Sequence, residues 1–223
     1  MRLRILLVAL ALLIPSVEAW SSAVQAAVPP AAGRFVVATS AQQGFFAKSV
    51  ILLIAYGAEG AVGVVINHPT KFSLASVLPD PKVLHGRPDL LYVGGPVALD
   101  SLTMLIRTPR ALPSSVRVLD GVYVSESVTT LRAAVDAKLA TSKFRAYAGY
   151  AGWAPGQLDA ELEQGAWTVV PANAAEVFTT APDDLWEKLS QSGSTMLVRL
   201  DGCRRTIHPS CAAQVVRAVA ALD

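Results

Sequence analysis

The chain is poor in the residues from which most sites are read. It holds only two cysteines, Cys203 and Cys211, and three histidines, His68, His85 and His208. A metal centre at the cysteine pair would recruit His208 and still lack a fourth ligand, so neither a metal nor another cofactor is expected. The glycine patterns that cradle phosphates, Gly-x-Gly-x-x-Gly and Gly-x4-Gly-Lys-Ser/Thr, are absent. So is the Gly-x-Ser-x-Gly elbow, and each histidine sits in a loop flanked by proline or glycine, which leaves no catalytic residue to assign. Charged residues make up 16% of the chain and the formal net charge is +2, with Arg204-Arg205 the only adjacent basic pair, which reads as a solvated turn. Nothing there forms a face that could hold a run of phosphates, so nucleic acid is not an expected partner.

Aliphatic residues are abundant instead. Hydrophobic residues make up 52% of the chain and its mean hydropathy is +0.43, a globular composition with no signature of disorder. Arg2 and Arg4 precede an apolar stretch from Ile5 to Ile14, followed by Pro15 and the small-residue pattern Val17-Glu18-Ala19. Residues 1–19 therefore read as a cleavable signal peptide, with a second cleavage position after Ala26. The apolar stretch is about half of the ~20 residues that a membrane-spanning helix needs, so no anchor is expected once the leader is removed. The mature protein is then expected in the periplasm or outside the cell. In that oxidising setting Cys203 and Cys211 read as one disulfide around a short loop. If the leader is not functional, the protein stays cytoplasmic with two thiols. Residues 20–33, with Pro29-Pro30, read as a lead-in linker, 34–191 as one domain, and 192–223 as an extension that carries the cysteine pair.

The domain reads mainly as strands. RFVVAT (34–39), SVILLIAY (49–56) and AVGVVIN (61–67) are rich in β-branched residues and bounded by glycine, proline or polar residues. Gly57-Ala58-Glu59-Gly60 fits a hairpin between the last two, and Ile51 to Ile54 is apolar on both faces, as in a central strand. Further strands are predicted at LLYV (90–93), LTMLIR (102–107), GVYVS (121–125), FRAYAG (144–149) and AWTVVPA (166–172). Helices are predicted at SLASVL (73–78), capped by Ser73, and at 127–140, where Val128, Leu131, Val135 and Leu139 recur at helical spacing behind Ser127. GQLDAELEQ, with Pro155 ahead of it, and APDDLWEKLSQ (181–191) complete the set. The predicted class is α+β with a mostly antiparallel or mixed sheet.

Three glycine- or proline-bearing turns stand out: Asn67-His68-Pro69, Gly94-Gly95-Pro96, and the corner that holds Gly152, Trp153, Gly156 and Gln157. Each has an ordinary turn reading. In the helix after the corner Asp159 and Glu163 share a face, with Glu161 directed elsewhere, and two carboxylates on one face can do acid and base work.

Taken in order, GRFVVAT, GFFAKSVILLI, EGAVGVVINHPT, LYVGGPV, DGVYVS, GYAGWAPGQLDAEL, AWTVVPA and FTTAPDDLWEKL resemble the AlgH/YqgE family over about residues 33–190. The resemblance implies a compact α+β domain with a bent, barrel-like sheet. It brings no catalytic residues, and it implies a shared surface at Asn67, His68, Pro69, Gly94, Gly95, Gly152, Trp153, Gly156 and Gln157. A transcriptional-regulator label travels with the family, but no helix-turn-helix pattern supports it in this chain. His68 stands where the family usually has arginine, which removes a permanent charge and a planar donor fork from that turn. The expected function is binding of an unidentified protein or small molecule at that surface. The alternatives are a hydrolase using the Trp153 corner, and regulation of transcription.

Overall fold

The computed structural model describes residues 28–191. The expected leader with its cleavage positions, and the extension with Cys203, Cys211 and His208, lie outside the described residues.

Ten strands form one curled sheet: β1 (Arg34–Ala38), β2 (Val50–Gly57), β3 (Gly60–Val65), β4 (Pro69–Ser73), β5 (Leu90–Val93), β6 (Val97–Arg107), β7 (Val116–Leu119), β8 (Val122–Ser125), β9 (Phe144–Trp153) and β10 (Trp167–Pro171). Among the described residues four α-helices flank it: α1 (Val128–Asp136), α2 (Gln157–Glu163), α3 (Ala174–Val177) and α4 (182–191). The spatial order β10-β1-β2-β3-β9-β6-β8-β7 is antiparallel throughout, and β5 adds the one parallel pairing, against β9. The sheet is a half-barrel of mixed α+β class.

The hairpin between β2 and β3 closes on the Gly57–Gly60 pair, and β2 is the expected central strand. Leu52 faces a core with Phe35, Val64, Leu105 and Tyr147, whereas Ile51 and Leu53 face a second core with Trp153, Leu158 and Trp167. A third core joins Met104 and Ile106 of β6 to Leu131 and Val135 of α1. The Ser127 side chain accepts from the Thr129 amide and caps α1. The helix stops at Asp136, short of the predicted 140, because Lys138 takes a left-handed backbone at φ +50°.

The long strand β9 organises the molecule. Residues 146–148 pair with β5 on one edge, and residues 151–153 pair with β3 on that same edge. Gly149 lies between the two stretches at φ +67°, a left-handed conformation that glycine adopts at little cost, and it bends the strand from one half of the sheet into the other. The glycine corner is thus inside the strand. FRAYAG was expected to end at residue 149, but the strand continues to Trp153 and the chain turns only at Ala154 to Gly156. Pro155 precedes α2 without entering it, and Gly156 takes the N-cap position at φ +73°.

Candidate functional site

The turn Gly94-Gly95-Pro96 has a topological task. β5 lies on one edge of β9 and β6 on the other, so the connection between them must cross β9. It crosses at the Gly149 bend, with almost no clearance. A Cβ on Gly95 would stand 2.0 Å from the carbonyl carbon of Tyr150, one on Gly94 2.4 Å from the Gly149 oxygen, and one on Gly149 2.5 Å from the Gly95 oxygen. The amides that a strand-ending glycine turn could offer to an anion are not all free: the Gly94 N–H donates to the Ala148 carbonyl at 2.8 Å. The Gly94 carbonyl in turn accepts from Val65 at 2.8 Å, which ties the crossing to β3.

Asn67, His68 and Pro69 lie beside this crossing. The His68 carbonyl accepts from the Val93 amide, and Pro69 pairs with Tyr92. Asn67 is buried, and its side chain acts as a staple: Oδ1 accepts from the Val50 amide at 2.8 Å and Nδ2 donates to the Lys48 carbonyl at 2.9 Å. His68 is half-buried, with Nε2 3.4 Å from Ser49 Oγ. Burial holds its pKa below the ordinary histidine value, and the Asp183 carboxylate pulls weakly the other way. Ser49, His68 and Asp183 therefore repeat the residue types of a hydrolytic triad without its geometry. Ser49 has no exposed surface from which to attack a substrate, and its contact with the imidazole is long.

From His68 a row of rings runs to the predicted corner. His68 meets Phe45 edge-on at 5.8 Å, Phe45 meets Phe46 at 5.1 Å, Phe46 meets Trp167 at 5.6 Å, and Trp167 meets Trp153 at 5.9 Å. All four contacts have the edge-to-face form that aromatic quadrupoles favour. The row ends on Glu161 of α2. One of its carboxylate oxygens accepts from both indoles, Trp153 at 3.0 Å and Trp167 at 2.7 Å, and the other accepts from Gln157 at 2.9 Å. Gln157 also accepts from the Ala154 amide and closes the turn.

The structure thus brings the Asn67 turn and the Gly94 crossing together, and joins His68 to Trp153 and Gln157 through the ring row. The carboxylates are used differently from the expectation. Asp159 accepts from the Tyr56 hydroxyl at 2.6 Å, a bond that raises the Tyr56 pKa, while Glu161, expected to point away, holds the corner. An apolar strip beside the crossing was not anticipated. Val62 pairs with Gly152, the Tyr150 ring lies against Gly152, and Tyr150 pairs with Val97. Val62 is 37% exposed, Val97 39%, and Leu99, whose side chain reaches over Gly149, is 60% exposed. Alternation in β6 and β9 carried no sign of this, because the strip arises where β6 slips register between Val97 and Leu102. A cleft of about 430 Å³ elsewhere, lined by His85, Arg87, Val135, Asp136 and Lys138, contains none of the anticipated surface residues.

Comparison with known proteins gives the fold and motifs a family. The UPF0301 protein SCO2948 of Streptomyces coelicolor is 35% identical over 161 residues, which cover 70% of this chain and 83% of that protein. A UPF0301 protein of Rhodococcus opacus is 37% identical over 158 residues, covering 69% and 78%. Among solved structures, protein DIP2367 of Corynebacterium diphtheriae superposes with a TM-score of 0.63 at 28% identity, covering 75% of this chain and 89% of that one. The solution structure of the AlgH protein from Pseudomonas aeruginosa gives a TM-score of 0.57 at 31% identity, covering 78% and 93%. With residues 35–196 matched by the family pattern described as AlgH-like, and with this curled sheet, the chain belongs to the AlgH-like family.

Proposed function

We propose that the protein is a binding or interaction module of the cell envelope, with no catalytic step of its own. The observation that carries this reading is the apolar strip on the glycine crossing, formed by exposed Val62, Val97 and Leu99 with the half-buried Tyr150 between them. It rests on a backbone locked by steric contact, and a rigid apolar surface loses little entropy when a partner or ligand covers it. Around it the chemically capable side chains are already engaged: Glu161 by three donors, Asp159 by Tyr56, and Ser49 by burial. The envelope location rests on the leader-like residues 1–19, and the near-neutral charge gives no support to a role on DNA.

The test is site-specific photo-crosslinking in the periplasmic fraction of the host, with the reactive residue at Val97 and, as control, at Val116, which is exposed on β7. A discrete adduct at position 97, absent at 116 and lost with Val62→Asp, is the expected outcome. Identical patterns at both positions, or full-length protein confined to the cytoplasm, would overturn the reading.

A further inference from the structure

The largest unspent chemistry lies away from that strip, on the first half of β9. Arg145 retains only 8% of its surface, and no carboxylate among the described residues lies within ion-pair distance of it. Its guanidinium is held by neutral groups alone. It donates to the Thr179 carbonyl, makes a long 3.5 Å contact to the Ile66 carbonyl, and lies 4.8 Å from the Tyr92 ring and 5.9 Å from the Phe178 ring. A guanidinium carries five N–H groups, so these carbonyls leave most of its donor capacity unused. Burying a cation in this way without a counter-charge is costly, and cation–π contacts with two rings offset only part of that cost.

A second orphan stands two residues along. Tyr147 has no exposed surface, and its hydroxyl makes no hydrogen bond of ordinary length and angle among the described residues, although the Arg145 guanidinium lies close enough to interact with it. Residues 145 and 147 point to the same face of the strand, and Tyr92 bridges them, with its ring 5.4 Å from that of Tyr147 and beneath the guanidinium. Burial pushes the Tyr147 phenol far above the ordinary tyrosine range, and the charge of the guanidinium and its contact with the hydroxyl pull it only part of the way back, so the hydroxyl stays protonated at neutral pH and can donate a hydrogen bond. Among the described residues, Ser101 of β6 also has a buried hydroxyl without a hydrogen-bond partner.

We propose that Arg145 and Tyr147 form a binding site for the carboxylate of a small monocarboxylic acid. A fork of N–H donors beside a hydroxyl donor matches the two oxygens of a planar carboxylate, and a single guanidinium matches a single negative charge, where a phosphate dianion would need more. The Tyr92 and Phe178 rings supply apolar surface for a short alkyl or aryl remainder. A buried water could satisfy the Tyr147 hydroxyl, but it would leave the charge of Arg145 unanswered. The Phe178-Thr179 segment between α3 and α4 covers the guanidinium, through the Thr179 carbonyl and the Phe178 ring. The site is distinct from the strip and does not depend on it.

The experiment titrates the purified full chain with sodium propionate and sodium benzoate, against sodium chloride and sodium phosphate at the same ionic strength. It follows Tm by calorimetry and the Arg145 Nε–H resonance by NMR. The expected result is a saturable rise in Tm with a carboxylate and a shift of that resonance. Tyr147→Phe, which keeps the charge, should raise the half-saturating concentration about tenfold, as expected for loss of one hydrogen bond to a charged group. Arg145→Lys keeps the charge without the fork and should weaken binding at least as much, and Arg145→Met should abolish it. Should Arg145→Met fail to fold, the other two variants decide. A wild-type response no larger than that to chloride, or variants that respond as the wild type does, would overturn the proposal.

Discussion

Replacing Glu161 by alanine is the most direct test of what holds the Trp153 corner. The carboxylate accepts from two indole N–H groups at 3.0 and 2.7 Å, and Trp153 and Trp167 keep only 7% and 3% of their surface, so water can replace the lost acceptor only in part. An orphaned buried donor costs about 1–3 kcal/mol, and taking about 1–2 kcal/mol for each of these partly reachable groups gives a loss of about 2–4 kcal/mol. The third bond, from the exposed Gln157, adds little because solvent takes its place. In a chain of this size each kcal/mol lowers Tm by roughly 2–4 °C, so Tm should fall by roughly 4–16 °C. Glu161→Gln retains one acceptor oxygen and should lose about half as much. The assay is urea unfolding of the full chain, followed by far-ultraviolet circular dichroism, because a carboxylate beside two indoles also affects their fluorescence. A Glu161→Ala protein within about 0.5 kcal/mol of the wild type would refute the argument that Glu161 pins the corner.

Two further predictions follow from the same geometry. Gly95→Ala and Gly152→Ala are chemically identical changes with different surroundings: the added methyl meets backbone atoms 2.0 Å away at position 95 and a movable Tyr150 ring edge 3.2 Å away at position 152. Gly95→Ala should therefore leave little folded protein, while Gly152→Ala should shift the denaturation midpoint only slightly, and comparable midpoints would contradict the crossing argument. His68 has a folded pKa below its unfolded value of about 6.5, so the unfolded state binds the proton more readily. Its effect on stability is absent above that pH and becomes a loss as pH falls from about 6.5 through the folded value. Denaturation midpoints measured across that window should decline less steeply in His68→Gln, and equal slopes would show that the imidazole does not feel its burial.

Much of the architecture was legible because it rests on local pattern. The doubly apolar Ile51 to Ile54 became the central strand, and Ser127 marked the start of α1. β4 and β7 escaped because PTKFS lacks alternation and VRVL is only four residues long: β4 is an exposed strand attached only to β5, and β7 has two exposed residues in four. The corner was misplaced because glycine reads as punctuation, whereas Gly149 bends the strand without ending it. Helical spacing put Asp159 and Glu163 on one face, yet the face that packs is marked by Leu158 and Leu162, and Glu161 lies in their i, i+3, i+4 stripe. A carboxylate inside an apolar stripe was the available signal. Arg145, alone among apolar residues in FRAYAG, was another.

These differences share a cause that bears on where function should be sought. Gly94 and Gly95 stand out in the sequence as a turn, but they meet Gly149 because one strand connection must cross another strand, and only residues without a Cβ fit at that crossing. A cluster required by topology is no sign of a ligand. Function is better sought where chemistry exceeds what folding uses. Glu161 has as many donors as its corner supplies and nothing left over, whereas Arg145 has a whole charge and Tyr147 a hydroxyl that the described residues leave unanswered. The apolar strip is a weaker surplus of the same kind, since a fold can tolerate exposed valine at small cost but cannot bury a lone cation so cheaply. On that ranking, the Arg145 titration should precede the search for a partner at Val97.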